Sequence, residues 1–270
     1  MRFVLFTAML AVTAFGADNT LTSAEAKAGW KLLFDGKTFN NWRDPASETP
    51  PGKSWVIEDG TMSTVKDPQI SEDLISAKSY KDFTLEFDWK VSEGGNTGLK
   101  YRLQRTVFAN LTKAPKGPGG FEGMITREMA NPVGKREEIQ PGDKAQEYTV
   151  SFEFQLIDDE RHPDAKKDEA HKTGALYSML PPTAHPAKKA GEWNHGKLVL
   201  RGKHVEHWIN GVRVLSASLD APEGLASLKK RWTNGPAMYD ILANAKTEGR
   251  FTLQHHGDKV WFKNIKMREQ

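Results

Sequence analysis

The sequence predicts an all-β protein built as a two-sheet antiparallel β-sandwich. The first observation is alternation with a period of two: apolar and polar side chains alternate over residues 83–91, 99–104 and 150–156, which is typical of half-buried strands. The second is turn chemistry, because Glu93-Gly94-Gly95-Asn96 separates the first two segments as a hairpin loop would. The third is the scarcity of helical periodicity, which disfavours alternating strand–helix units.

The C-terminal half contributes further strands and the two helical segments. Strand-like segments occupy residues 198–201, 205–209, 212–215, 251–256 and 260–267. The turn Asn210-Gly211 is typical of a type I′ hairpin, so the first three of these segments form a meander. Helical periodicity is limited to residues 223–230, with an extension over residues 238–245. Many short strands and few helices indicate one sandwich rather than several domains.

The composition is that of a globular chain and excludes several classes of function. The 270 residues are 38% hydrophobic and 27% charged, with a net charge of +3, which is far from the composition of disordered chains. No stripe of Lys and Arg interleaved with aromatic residues occurs, so we do not expect nucleic acid as a partner. The chain has no cysteine, which excludes disulfides, thiolate metal ligands and cysteine nucleophiles.

Residues 1–16 have the pattern of a secretory signal peptide. Met1-Arg2 supplies a positive start, an apolar run follows, and Ala14-Phe15-Gly16 resembles a cleavage site. We therefore expect an exported protein, periplasmic or extracellular. The apolar run is shorter than the ~20 residues of a membrane span, and no other stretch approaches that length. We predict a polar lead-in over residues 17–28 and one sandwich domain over residues 29–270, with a long loop insertion at residues 106–146.

Strand parity predicts a polar face on one sheet. If the apolar residues of each strand point into the core, then Glu153, Gln155, Arg102, Gln254 and His256 point to the opposite side. If these strands share a sheet, its outer face combines carboxylate, amide, guanidinium and imidazole groups, as a binding cleft does. An ordinary solvated outer face would give the same alternation. The two glutamines favour the cleft, because solvent-facing strand positions more often carry Thr, Lys or Glu.

An acidic turn with a histidine follows the Glu153 strand directly. It contains Asp158, Glu160 and His162 within seven residues. Such oxygen and nitrogen donors could hold a divalent cation or supply an acid–base pair. A solvated acidic loop is the alternative, because no pair of ligands at helical spacing supports a metal site.

Aromatic residues beside amides suggest sugar binding. Pyranose rings stack on Trp and Tyr, and their hydroxyls need polar partners in fixed positions. Tyr177 and the pairs Trp193-Asn194 and Trp208-Ile209-Asn210 offer such combinations. Core packing is the alternative, and we expect it for Trp208.

Co-ordered motifs resemble those of the 3-keto-disaccharide hydrolase family. The first is Gly29-Trp30-Lys31-Leu32-Leu33-Phe34-Asp35-Gly36-Lys37, followed by Asn41-Trp42. Later motifs lie at residues 55–60, 94–98, 153–155, 158–164, 172–177, 191–194, 208–211, 253–258 and 262–265. The resemblance spans residues 29–268 and implies a jelly-roll sandwich of the concanavalin-like lectin/glucanase type. Two features depart from the pattern, namely the length of the 106–146 segment and His255, where an Asp is common.

The resemblance implies cleavage of glycosides whose sugar carries a ketone at carbon 3. The ketone acidifies the C2 proton, so a base can remove it and the C1 aglycone can leave by β-elimination, after which water adds. This route differs from two-carboxylate glycosidase chemistry. It requires a base near C2 and an electrophile at the enolate oxygen, which could be a metal ion, an Arg or a His.

We therefore assign Glu153, His162 and His256 to catalysis or metal binding, without deciding between base and ligand. The candidate metal ligands are Glu153, Asp158, Glu160 and His162, for one divalent ion such as Ca²⁺ or a transition metal; no nucleotide cofactor is expected. The sugar would be held by Arg102, Gln155, Tyr177, Trp193 and Asn194. A non-catalytic carbohydrate-binding module on the same sandwich is the alternative function, and the sequence leaves the oligomeric state open.

Overall fold

The computed structural model describes residues 18–45, 51–113, 120–130 and 135–270. The expected signal peptide at residues 1–16 lies outside these ranges. Among the helices that the structure describes, none combines the length and the apolar character that crossing a membrane requires.

The described residues contain fourteen strands and four α-helices. In chain order they are α1 (Ser23–Lys27), β1 (Lys31–Leu32), β2 (Trp42–Arg43), β3 (Trp55–Glu58), β4 (Thr61–Thr64), β5 (Ile70–Glu72), β6 (Leu74–Ser76), β7 (Phe83–Val91), β8 (Asn96–Asn110), α2 (Gly120–Ala130), β9 (Ala145–Ile157), β10 (Asn194–Arg201), β11 (His204–Ile209), β12 (Val212–Ser218), α3 (Pro222–Arg231), α4 (Pro236–Ala243), β13 (Thr252–Leu253) and β14 (Val260–Glu269). Three short 3₁₀ turns lie at Arg136–Glu138, Asp164–Lys166 and Glu169–His171.

These strands form two sheets, which confirms the predicted all-β sandwich. The first sheet has the order β12-β11-β10-β7-β14-β4-β3, with β1 beside β14. The second has the order β2-β6-β13-β8-β9-β5. Pairing between the described strands is antiparallel except for β5 with β9. The predicted meander appears as β10, β11 and β12, and the predicted helical segments appear as α3 and α4.

One apolar core lies between the sheets. The alternating apolar residues of β7 point into it, and Phe83, Leu85, Phe87 and Trp89 are each at most 1% exposed. Across the interface, the ring of Phe87 meets that of Phe154 from β9 edge-on at a centroid distance of 6.2 Å. Because Phe154 points inward, its strand neighbours Glu153 and Gln155 point to the outer face of the second sheet.

The predicted loop at residues 106–146 is wrong at both ends. Strand β8 continues to Asn110, and β9 already begins at Ala145, because residues 105–110 pair with residues 145–150 in an antiparallel ladder. Helix α2 occupies part of what remains, and residues 114–119 and 131–134 lie outside the description. The strand expected over residues 251–256 shortens to β13.

Candidate functional site

A cleft of about 640 Å³ lies on the outer face of the second sheet. Strands β8 and β9 form its floor, and the segments around residues 162–178 and residue 256 contribute to its walls. Five of the side chains expected in the site line this cleft: Glu153, Gln155, His162, Tyr177 and His256. Segments more than 100 residues apart in sequence thus meet in one hollow, as strand parity predicted.

Glu153 is the carboxylate at the cleft floor. It is 3% exposed and lies opposite Lys100 in the β8–β9 ladder. The neighbouring strand position is Gly98, where a Cβ would collide with the Glu153 carboxylate, so a glycine is needed there. Burial raises the pKa of Glu153, while the cations of Lys100 and Arg231 oppose that shift. Glu153 is therefore a stronger base than an ordinary surface carboxylate.

Two amides line the cleft together with this carboxylate. With its amide nitrogen toward Glu153, Gln155 donates to Glu153 Oε1 at 3.2 Å and to the Thr97 carbonyl at 3.1 Å, which fixes both side chains. Gln254 is 5% exposed, and its Oε1 has no hydrogen-bond partner among the described residues. A buried amide oxygen without a partner is costly unless a ligand satisfies it. Gln254 is thus suited to accept a hydrogen bond from a sugar hydroxyl.

A buried ion pair lies beside Glu153. Lys100 donates to Asp73 Oδ2 at 2.9 Å, and both side chains are at most 1% exposed. Asp73 also accepts the Thr149 hydroxyl at 2.7 Å and the backbone N–H of His255 at 3.0 Å. One carboxylate therefore ties strand β9 to the segment that carries the next residue, His256. Sequence reasoning missed Asp73, because its role depends on a contact between distant segments.

The two imidazoles lie together with a further carboxylate. Ligand atoms of His162, His256 and Asp258 lie within 4.8 Å of one another, and the two rings meet edge-on with centroids 6.0 Å apart. Asp258 uses Oδ2 to accept the Asn96 N–H at 3.1 Å. His162 accepts the Asp164 N–H through Nδ1 at 3.0 Å, which holds its ring in place.

Two imidazoles and a carboxylate are a common donor set for divalent transition metals. His256 is exposed, and its ring packs edge-on against that of His162. His162 has its Nδ1 engaged by the Asp164 N–H, so it would offer Nε2 to an ion. The set therefore fits a divalent cation in donor type, and its donor atoms lie within 4.8 Å of one another.

Arg231 and Tyr177 close one wall. Arg231, the last residue of α3, donates from Nη1 to the Tyr177 carbonyl at 2.9 Å, and its guanidinium lies 4.8 Å from the centroid of the Tyr177 ring. The Tyr177 side chain is hydrogen-bonded to Asp164, and burial raises its pKa. Sequence reasoning missed Arg231, because a basic residue at a helix C-terminus has an ordinary explanation as a favourable charge at the negative end of the helix dipole.

Arg102 does not lie in the cleft, so its predicted outward position is wrong. The β8–β9 register shifts between Tyr101 and Arg105, and Arg102 adopts a positive φ of 57°. This bulge breaks strand parity. The Arg102 side chain turns away and donates to the carbonyl of Gly202, in the turn between β10 and β11 of the first sheet.

Trp193 and Asn194 also lie away from the cleft, at the start of β10 in the first sheet. The Trp193 ring lies 5.0 Å from the ammonium of Lys90 and 4.7 Å from that of Lys263. Asn194 accepts the Lys188 N–H at 2.8 Å and so holds a loop. The sequence of a tryptophan–asparagine pair does not show which of the two sheets the pair belongs to, so the predicted sugar contact is wrong.

The metal ligand set expected from the acidic turn is not brought together. Asp158 accepts backbone N–H groups from Gly94 at 2.8 Å and from Glu160 at 3.0 Å, so its carboxylate organises the turn itself. The Glu160 side chain is exposed and lies 3.6 Å from Lys189. His162 is instead grouped with His256 and Asp258.

Comparison with known proteins gives the geometry a context. A family model described as a 3-keto-alpha-glucoside-1,2-lyase-like domain matches residues 29–268. A 3-keto-disaccharide hydrolase from Bacteroides thetaiotaomicron is 33% identical over 257 residues, which cover 89% of this chain and 78% of the relative.

Solved structures agree with the fold. A candidate glycosyl hydrolase from Parabacteroides distasonis superposes with a TM-score of 0.66 at 27% identity, covering 94% of this chain and 99% of that chain. A second such protein from the same organism gives a TM-score of 0.58 at 23% identity, covering 89% and 99%, and shows the fold alone. Because the family model matches nearly the whole described chain, this protein belongs to the 3-keto-alpha-glucoside-1,2-lyase-like domain family.

Proposed function

We propose that this protein cleaves the C1–O bond of 3-keto-glycosides by removing the C2 proton and expelling the aglycone, after which water adds to C1. Its family and its named relative make it a carbohydrate-active, hydrolase-like protein. The single observation that carries the finer proposal is the convergence of Glu153, His162 and His256 in one open cleft.

The chemistry needs two kinds of group, a base at C2 and a positive centre at the enolate oxygen. Glu153 supplies the base, because burial raises its pKa while Lys100 and Arg231 keep its ionised form accessible. Its electron pair takes the C2 proton, the C2–H electrons form the C1–C2 double bond, and the aglycone leaves with the C1–O electrons. Addition of water then places hydroxyl at C1 and a proton at C2.

The positive centre is supplied around His162, His256 and Asp258. These residues would hold a divalent cation, which supplies Lewis-acid polarisation of the C3 carbonyl when bound. Arg231 faces the same cleft and adds a fixed positive charge near the developing enolate. Gln254 and Gln155 orient the sugar through its hydroxyls.

Turnover of a 3-keto-disaccharide, followed by release of the 3-keto sugar, tests the proposal. We expect cleavage by the wild type, a loss of at least about 100-fold in Glu153→Ala and His162→Ala, and loss of activity with a chelator that returns on adding Mn²⁺ or Co²⁺. Wild-type rates in both variants would refute the assignment. Glycan binding without any product would favour a carbohydrate-binding module instead.

Export is a separate proposal and rests on the pattern of residues 1–16. Cell fractionation of the full chain should place a shortened form, beginning near Ala17, outside the cytoplasm. A full-length cytoplasmic product would refute it.

A further inference from the structure

The cleft has a second, apolar end. Among the described residues, three large hydrophobic side chains are exposed: Leu111 at 40%, Phe121 at 41% and Val212 at 42%. The first two line the cleft, whereas Val212 does not. Exposed apolar side chains concentrated in a substrate cleft mark a contact with a ligand more often than isolated ones do.

Helix α2 explains why Phe121 is left exposed. Phe121, Ile125 and Met129 follow one another at intervals of four residues and therefore lie on one face of the helix. Ile125 is 0% and Met129 9% exposed, so these two anchor the helix on the sandwich. Phe121, the first member of the stripe, extends beyond the core and over the cleft. The buried side chains of Ile125 and Met129 thus fix the helix and, with it, the position of Phe121.

Tyr148 completes this end of the cleft. Its ring meets that of Phe121 edge-on at a centroid distance of 5.5 Å. The ammonium of Lys100 lies 4.3 Å from the centre of the Tyr148 ring, so a buried cation fixes the ring from the side of the floor. The neighbouring polar groups of the lining, Ser71 and Gln146, are neutral. This contrasts with the end that holds Glu153 and His162.

We propose that Leu111, Phe121 and Tyr148 form the aglycone subsite and that it takes a flat aromatic aglycone. The inference rests on the proposed function, since a 3-keto sugar seated at Glu153 must project its C1 substituent along the same cleft. An aryl ring finds aromatic edges and an aliphatic side chain there. A second sugar carries several hydroxyls, and among the described residues the polar groups at this end are Ser71, Gln146 and the Tyr148 hydroxyl, none of them charged.

Paired substrates test the subsite: the 3-keto-glucoside of a phenol and a 3-keto-glucosyl-glucose of the same anomeric configuration. We expect Phe121→Ala to lower kcat/KM for the aryl substrate about tenfold and to change that for the disaccharide less than twofold. Comparing variants on each substrate cancels the difference in leaving-group reactivity. Phe121→Tyr should retain the aryl activity, and Val212→Ala, which removes an exposed side chain outside the cleft, should change neither.

Binding separates this inference from the proposed function. Calorimetry with the phenyl 3-keto-glucoside on Glu153→Gln and on Glu153→Gln/Phe121→Ala should show about tenfold weaker affinity in the double variant, whether or not the wild type turns the substrate over. Absence of cleavage with this binding pattern would refute the proposed reaction and support the subsite. Equal losses on both substrates, or no loss on either, would overturn the subsite.

Discussion

Two buried glutamates on strand β9, Glu147 and Glu153, show how similar burial serves different ends. Glu147 is 0% exposed and Glu153 3%, and burial raises the pKa of each. Glu147 faces Asp44 and Glu72, and Arg136 bonds all three carboxylates, at 2.6 Å to Asp44 and 2.7 Å to Glu147. Glu153 instead faces an open cleft.

The comparison teaches that a perturbed carboxyl is not in itself a site. Three carboxylates and one guanidinium close on one another around Glu147, which joins the segment carrying Asp44 to the second sheet. Around Glu153, the cations of Lys100 and Arg231 act on one carboxylate, and the amide oxygen of Gln254 in the same cleft has no described partner. A buried oxygen without a described partner occurs at both places, Oε2 of Glu147 itself and Oε1 of Gln254 in the cleft. Access for a substrate is therefore what distinguishes the second glutamate from the first.

The largest effect should come from removing the base. Glu153→Gln keeps the shape of the side chain but cannot take a proton, so we expect kcat/KM on a 3-keto-disaccharide to fall at least about 1000-fold. The matched control is Glu147→Gln on the same strand, for which we expect a change of less than about twofold. Comparable losses in the two variants would erase the distinction between the two glutamates.

A smaller loss should follow at the imidazole pair. His256→Asn removes one donor of the His162–His256–Asp258 set, and we expect kcat/KM to fall about 100-fold with weaker binding of Mn²⁺. His204→Asn, which changes a surface histidine of β11, is the control and should behave as the wild type. Unchanged metal affinity and activity in His256→Asn would exclude the set from catalysis.

Lys100 should tune Glu153 without touching substrate. Lys100→Met removes a cation that lowers the pKa of Glu153, so the acidic limb of the kcat/KM profile should move up by about one pH unit. It should also cost about 3–5 kcal/mol of unfolding free energy, because Asp73 loses its buried partner. Lys100→Arg keeps the positive charge, so its acidic limb should lie at the wild-type pH. If Lys100→Met does not fold, Asp73→Asn tests the same ion pair in the opposite direction: it removes an anion that raises the pKa of Glu153, so the limb should move down. An unmoved limb in a folded variant contradicts the tuning role.

The cluster around Glu147 should affect stability rather than turnover. The pKa of Glu147 rises from 4.5 to about 8 in the folded state, so the folded chain holds this proton more tightly than the unfolded chain. Its stabilising contribution is therefore complete below pH 4.5, declines as the pH rises from 4.5 through 8, and amounts to about 5 kcal/mol in all. The free energy of unfolding, measured by denaturant titration at a series of pH values, should show this decline in the wild type and a smaller decline in Glu147→Gln. Parallel pH slopes would contradict the prediction.

Period-two alternation predicted the sandwich, the meander and the outward position of Glu153 and Gln155, because each property depends on local side-chain order. It failed for Arg102, because the alternation of apolar and polar residues does not reveal the register shift and the positive φ at this position. It also could not assign Trp193 to a sheet. The residues it missed, such as Arg231 and Asp73, act through contacts between segments that only the folded chain brings together.

The most direct test of C2 proton removal is cleavage of a 3-keto-disaccharide in D₂O, with the released 3-keto sugar examined by NMR and mass spectrometry. Elimination followed by addition of water predicts up to one solvent deuteron at C2 in wild-type product, beyond the exchange measured for free product incubated without enzyme. If the product forms at the wild-type rate and every molecule retains its original hydrogen at C2, proton removal by Glu153 is contradicted.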